Sequence, residues 1–192
     1  MPGTIDSYET AIGSSGLLDE LREFDPRVVG TLPLGLSTPT SDIDVVCHVV
    51  DAAAFAEVVW RRYRSCDGFA LYQWCSSWRP VVARFEWDGW PFELFGDPRP
   101  VDQQEGWLHF AVQRRLLALD DGRLRKAVAE HRARGMKTEP AFAAVLGIAG
   151  IRIPHCLHWA VRATRSCGPA WSACKVRRVG PHRSERLRAA RI

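Results

Sequence analysis

The sequence predicts an α+β domain, a mixed β-sheet with flanking helices and a C-terminal helical segment. Three observations lead there. Segments rich in β-branched and aromatic residues recur between residues 27 and 96, one strongly periodic helix interrupts them, and beyond Gly96 the pattern becomes helical. The 192 residues suffice for one domain, and 46% hydrophobic with 25% charged residues excludes disordered, collagen-like and coiled-coil chains.

From Tyr8 to Phe24, Ile12, Leu17, Leu18 and Leu21 recur near helical spacing, with Gly13 and Gly16 weakening the middle. Arg27–Gly35 reads as a strand ending in a Pro/Gly turn, and Asp42–Val50 as a second strand. Asp51 can N-cap a helix to Arg64, along which Phe55, Val58, Val59 and Arg62 follow at helical intervals. Phe69–Cys75 and Val81–Trp87 are further strands. The second meets Asp88-Gly89, the favoured dipeptide of a type I′ hairpin, and the chain returns through Pro91–Phe95. Helices are predicted over Val101–Leu119, Gly122–Arg134 and Thr138–Ile148, with Thr138 as an N-cap and Pro140 in the first turn. The domain thus occupies residues 1–150, with its sheet at about 27–96 and its helices at 101–149.

The net charge of +4 and pI near 8.9 suggest a nucleic-acid partner only until the charge is located. Residues 151–192 carry ten Lys or Arg against the single acid Glu185, a net +9, which leaves −5 for residues 1–150. The acidic body does not support nucleic-acid binding. The N-terminus has no secretory pattern and no apolar run long enough for a membrane span, so a cytoplasmic protein is expected. Six scattered cysteines without a C-x-x-C pair read as thiols in a reducing compartment.

Chemistry concentrates in Gly30–Val46. Alternation along a strand sends Asp42 and Asp44 to one side and Ile43 to the other. Two adjacent carboxylates repel unless a cation lies between them, and Mg²⁺ suits oxygen ligands. An Asp-x-Asp at a strand entrance also serves as a solvated turn, so the context matters. Gly30-Thr31 precedes the pair: glycine permits close backbone approach, and the following amide and hydroxyl can bind phosphate. Glu93 lies on the return arm of the hairpin between apolar neighbours; if that strand pairs beside the Asp42/Asp44 strand, three carboxylates meet at one edge of the sheet. Glu86, on the outward arm, is the alternative third acid.

Gly30-Thr31, ten residues, then Asp42-Ile43-Asp44 and a later strand acid resembles the signature of the nucleotidyltransferase superfamily typified by DNA polymerase beta. The sequence is more closely similar to a bacterial domain-of-unknown-function family with such a core. That likeness covers about residues 5–150 and includes Gly30–Val46, Pro91–Gly96, the helix bearing Gln104 and His109, and Gly135–Phe142. The resemblance implies Asp42, Asp44 and Glu93 as catalytic metal ligands for Mg²⁺, in a two-ion site. It also implies Gly30 and Thr31 as the phosphate-binding turn. Read from the residues themselves, Ser41 joins the nucleotide-binding set, Lys137, a cation one residue before a helix start where the dipole does not favour it, reads as a phosphate contact, and Gln104 and His109 read as substrate contacts. Thr31 stands for the superfamily's more usual serine, and Glu93 for its commoner aspartate.

The implied reaction is transfer of a nucleoside monophosphate from an NTP to a hydroxyl acceptor. Two alternatives stand beside it: a non-catalytic nucleotide-binding or toxin–antitoxin-type module with a protein partner, and a metal-dependent phosphate-ester hydrolase. His109 reads equally as a packing residue, and Gln104 as slightly more exposed. Trp60, Trp74, Trp78, Trp87, Trp90 and Trp107 read as core or rim aromatics.

Residues 151–192 break sharply from this pattern, with Arg, Pro, Trp and Cys in excess and no apolar periodicity. The similar family continues with Gly-Asp-Pro-Tyr and a leucine-rich helix. Ile151-Arg152-Ile153 written ATC-CGT-ATC becomes Asp-Pro-Tyr when a G is restored before it. The tail is therefore expected to be out of frame and poorly ordered, and His155, His158, Cys156, Cys167 and Cys174 are not read as a zinc site.

Overall fold

The computed structural model describes residues 7–75, 77–147 and 177–178. The chain opens with helices α1 (Tyr8–Ser15) and α2 (Leu17–Glu20) and a 3₁₀ turn, Arg22–Phe24. Strands β1 (Arg27–Val29) and β2 (Ile43–His48) follow, then α3 (Ala52–Tyr63), β3 (Ala70–Gln73), β4 (Val81–Trp87) and β5 (Trp90–Asp97). A 3₁₀ turn, Val101–Gln103, leads into α4 (Glu105–Leu119), α5 (Arg123–Ala133) and α6 (Thr138–Val145). The two-residue strand β6, Arg177–Arg178, pairs antiparallel with β3. Apart from β6, the expectations for the tail lie outside the described residues.

The sheet order is β1-β2-β5-β4-β3-β6. All pairings are antiparallel except β2 with β5, which run parallel at its centre. A parallel pair needs a long crossover, supplied here by α3, β3 and β4. The predicted α+β architecture and mixed sheet are therefore present.

Several boundaries follow directly from residue chemistry. The Asp51 side chain accepts from the amides of Ala53 and Ala54 at 2.9 and 3.1 Å, starting α3 where the sequence places it. Asp88 and Gly89 adopt φ of 49° and 76°, the left-handed pair that a type I′ turn requires. Other boundaries differ. Within Tyr8–Phe24, where a helix of about two to four turns weakened at its glycines is expected, α1 ends at Gly16, whose φ of 66° closes it with a backbone bond to the Gly13 carbonyl.

The strand expected to reach Gly35 stops at Val29, because Gly30 at φ 79° turns the chain out of the sheet. Residues 31–36 instead close on themselves, with the Leu36 amide bonded to the Thr31 carbonyl and Gly35 to Leu32, both at 3.0 Å. Helix α4 starts at Glu105 and not Val101, since Gln104 is extended. The N-cap of α6 is Lys137, and Thr138 is its first residue.

Alternation on the central strands builds two cores. Ile43, Val45 and Cys47 of β2 and Phe92 and Leu94 of β5 pack with Phe55, Val59 and Tyr63 of α3. On the opposite face, Val46 joins Phe110, Leu117, Val128 and Phe142 of α4–α6, together with Leu34 and Leu36. Asp44 and Glu93 alternate with the first set and so belong to the face covered by α4–α6.

The tryptophans behave largely as expected: Trp60, Trp87 and Trp90 pack on the first core and Trp107 on the second, while Trp74 meets Phe95 edge-on. Trp78 is 53% exposed and carries the Arg99 guanidinium over its ring. None of the described cysteines, Cys47, Cys66 and Cys75, forms a disulfide. No described helix is long and apolar enough to cross a membrane.

Candidate functional site

The site lies where β2 begins. Ile43 is completely buried, and the alternation that sends it inward turns its neighbours Asp42 and Asp44 to the other face. In the ladder, Asp44 stands between Val29 of β1 and Glu93 of β5. The expected pairing of the two acidic strands is present. It falls in the middle of the sheet, at the strand ends, and not at the sheet's lateral edge.

Gly30 fits against this arrangement. A Cβ at Gly30 would stand 2.0 Å from Asp44 Oδ2, so the carboxylate occupies the space a side chain would need. A sequence glycine read as permitting close approach to phosphate is thus seen permitting close approach by a carboxylate. Burial, then the charges of Asp42, Glu93 and Glu139, push the Asp44 carboxyl well above the usual range, while Arg84 partly opposes them. Asp44 and Glu93 are therefore electrostatic neighbours, whereas the alternative acid Glu86 is exposed and pairs in register with Pro91.

Glu93 has a partner that the sequence reading did not assign. Arg84 Nε donates to Glu93 Oε2 at 2.5 Å, and Nη2 of the same guanidinium pairs with that oxygen. Burial lowers the Arg84 pKa, but Glu93, Tyr72 and Asp42 more than offset it, and the net direction is upward. The pairing was legible in principle: a two-residue turn at Asp88-Gly89 puts Trp87 opposite Trp90 and, three steps down the ladder, Arg84 opposite Glu93.

A divalent cation fits Asp42 and Asp44, whose carboxylates share one face and whose mutual repulsion a hard cation would relieve. Glu93 does not complete the set as it stands, because Arg84 holds it. Among the described residues no three His, Cys, Asp or Glu side chains are arranged to hold a metal ion.

The turn after Gly30 is clamped from α5. Arg125 Nη1 donates to the Leu34 carbonyl, and Arg132 Nε donates to the Leu36 carbonyl at 2.8 Å. Ser41 closes the other end: its hydroxyl accepts from the Thr38 amide at 2.9 Å and from Thr31 Oγ1 at 3.1 Å. Ser41 is 8% exposed, so its hydroxyl serves the loop interior.

The remaining predicted contacts divide. Gln104, expected to be the more exposed of its pair, is 1% exposed, and its amide donates to the carbonyls of Cys47 and Arg99 at 3.0 and 2.8 Å. It joins the helix start to β2, with its Oε1 buried and unbonded. His109 is partly buried, with Nδ1 3.9 Å from Glu139 Oε1 and a buried, unbonded Nε2. Burial lowers its pKa against the pull of Glu139 and Glu105. Lys137 is exposed at the start of α6. Thr138, instead of capping, accepts from Arg132 Nη1. Glu139 was missed as a neighbour of Asp44; only the docking of α6 brings it there.

The pattern of a family described as a domain of unknown function (DUF4269) matches residues 10–155. Comparison with curated proteins finds no match. Among solved structures, a cytoplasmic RNA terminal U-transferase is similar at 16% identity and a TM-score of 0.45, over 64% of this chain and 36% of that one. Cid1 poly(U) polymerase is similar at 16% identity and 0.47, over 67% and 40%, and the GLD-2/RNP-8 complex at 13% and 0.47, over 72% and 53%. The chain spans about a third to a half of the length of these structures.

Proposed function

We propose that this chain, which belongs to the domain-of-unknown-function family DUF4269, is a cytoplasmic Mg²⁺-dependent nucleotidyltransferase that moves a nucleoside monophosphate from an NTP to an acceptor hydroxyl. The observation that carries the reading is the Asp42/Asp44 pair at the start of β2, with Asp44 set against the Cβ-less Gly30 and beside Glu93 of the parallel strand β5.

Asp42 and Asp44 would hold the metal, which when bound supplies positive charge at the triphosphate and lowers the pKa of the attacking hydroxyl. The chain's own residues do the positioning. Burial and then three neighbouring acids make the charged form of the Asp44 carboxyl costly, so it gains by receiving a cation. Arg125 and Arg132 fix the carbonyls of Leu34 and Leu36, and Thr31 and Ser41 close the loop, so the turn at Gly30-Thr31 meets phosphate already folded. Lys137 adds an exposed cation at the start of α6 for the same triphosphate.

The test is incubation with each labelled NTP and Mg²⁺, comparing the natural chain with Asp42→Asn/Asp44→Asn. Pyrophosphate release and labelled acceptor, both abolished by the double substitution, are expected. Nucleotide binding without turnover would replace this reading by a binding module, and orthophosphate or free nucleoside monophosphate would replace it by hydrolysis.

A further inference from the structure

Resting on that reading, we propose that Arg84 binds the acceptor, and that the acceptor is a hydroxyl compound carrying an oxyanion, a phosphate or a carboxylate, close to its reacting hydroxyl. Four residues stand in one row across the sheet: Val29 of β1, Asp44 of β2, Glu93 of β5 and Arg84 of β4. Gly30 and Thr31 follow Val29, so the turn assigned to the triphosphate lies on one side of Asp44 and Arg84 on the other. With neighbouring strands ~5 Å apart, the Arg84 backbone is ~10 Å from that of Asp44.

In-line displacement separates the two ends of the reaction. The acceptor oxygen bonds to the α-phosphorus opposite the pyrophosphate, whose bond breaks and which leaves with the electron pair, while the hydroxyl proton passes to water. With pyrophosphate leaving toward Gly30-Thr31, the acceptor enters from the β5–β4 side, where Arg84 stands. The core under α4–α6 takes Val29, Val46 and Phe95 from β1, β2 and β5 and, among the described residues, nothing from β4. The Arg84 side chain is accordingly 50% exposed.

Glu93 holds this guanidinium by one edge. Nε and Nη2 both bond Glu93 Oε2, and the opposite edge, Nη1 with the second Nη2 hydrogen, has no partner among the described residues. Two N–H groups side by side form the fork that takes two oxygens of a phosphate or carboxylate. A half-exposed ion pair contributes little to stability, whereas a guanidinium already held at one edge loses less freedom when it binds at the other. Arg84 is also the one cation among the groups that act on Asp44, so an anion arriving beside Asp42, Asp44 and Glu139 finds its countercharge there.

Transfer from labelled NTPs by the full chain is measured with glycerol, glycerate, glycerol 3-phosphate, a short oligoribonucleotide and an aminoglycoside as acceptors, for the natural protein, Arg84→Lys and Arg84→Met. An anionic acceptor labelled in preference to glycerol and the aminoglycoside is expected. Glycerate against glycerol 3-phosphate separates carboxylate from phosphate, and the oligoribonucleotide separates a nucleic-acid end from a small ester. Arg84→Met should raise KM for that acceptor about tenfold and leave KM for the NTP unchanged; Arg84→Lys, with the charge but not the fork, should recover only part. Glycerol or the aminoglycoside labelled as well as the anions, or an acceptor KM unmoved by Arg84→Met, overturns the inference and leaves nucleotidyl transfer intact. Failure to bind any NTP overturns both. A second measurement needs no turnover: the Arg84 Nη resonances of the natural protein, with a nonhydrolysable NTP bound, are followed during titration with glycerol 3-phosphate, glycerate and inorganic phosphate. A saturable shift with at least one anion is expected, and resonances that stay put with all three overturn the inference.

Discussion

Gly30→Ala tests the packing beneath the carboxylates. At φ 79° an alanine occupies a left-handed conformation that costs ~1–2 kcal/mol. Its Cβ would also stand 2.0, 2.9 and 3.1 Å from Oδ2, Cγ and Cβ of Asp44, where ordinary contact begins near 3.4 Å. Asp44 Oδ2 must move by more than an ångström, and a side chain driven off its rotamer adds ~0.5–1.5 kcal/mol. The expected loss is ~2–3 kcal/mol, read as a lower urea midpoint at unchanged slope in divalent-free buffer. In an Asp44→Ala background the two closest atoms are gone, and with Cβ still 3.1 Å away the loss should fall to little more than the backbone share of ~1–2 kcal/mol. The difference is a coupling of ~1 kcal/mol. Equal losses in both backgrounds would refute the reasoning, because the cost would then come from the backbone alone.

Three further outcomes follow from other contacts. The raised Asp44 carboxyl binds its proton more tightly folded than unfolded, so stability is greatest below the ordinary value of 3.8 and declines as pH rises through the raised one. Asp44→Asn should therefore raise the melting temperature at pH 7.5 in divalent-free buffer and flatten its fall from pH 4.5; a lower melting temperature at pH 7.5 contradicts the sign. Arg99 bonds both Asp97, 1% exposed, and Glu105 through five hydrogen bonds, one of them from its amide to Asp97. Arg99→Met strands a buried carboxylate and should cost ~3–5 kcal/mol in urea denaturation, with a cost below ~1 kcal/mol counting against the network. Arg132→Met removes the clamp on Leu36, and hydrogen exchange at the Leu36 amide should quicken several-fold while α3 amides are unaffected; uniform quickening across the molecule would point to general destabilisation instead.

What the sequence disclosed depended on whether a feature was local. Asp51 as a cap, Asp88-Gly89 as a turn and the Asp42/Asp44 alternation are fixed by neighbours in the chain, and each is present. The Arg84–Glu93 pair was also within reach, since the turn length sets the register, but it required counting down both arms of the hairpin. Gly30 was read as a close approach at a phosphate turn, whereas the group that approaches it is the Asp44 carboxylate, and its effect in ending β1 six residues early was not read from Val28-Val29-Gly30. Glu139 beside Asp44, Gln104 inside the protein and the arginine clamps on residues 34 and 36 all depend on how α4–α6 dock across the sheet. Helix periodicity marks which face is apolar and says nothing about which loop that face will meet.

The central parallel pair has a consequence for the order in which the molecule is made. Asp44 and Glu93 are 49 residues apart, and closing that span is entropically more demanding than closing the Asp88-Gly89 hairpin. The β4–β5 hairpin can therefore form first, on the microsecond timescale of such units, and it brings Arg84 to Glu93 before β2 arrives. The strand carrying Asp42 and Asp44 then docks beside a carboxylate that is already neutralised. Kinetically, Arg84→Met should slow refolding more than it speeds unfolding, giving a fractional effect on the transition state above one half, whereas Val45→Ala on the late-joining strand should act mainly on unfolding.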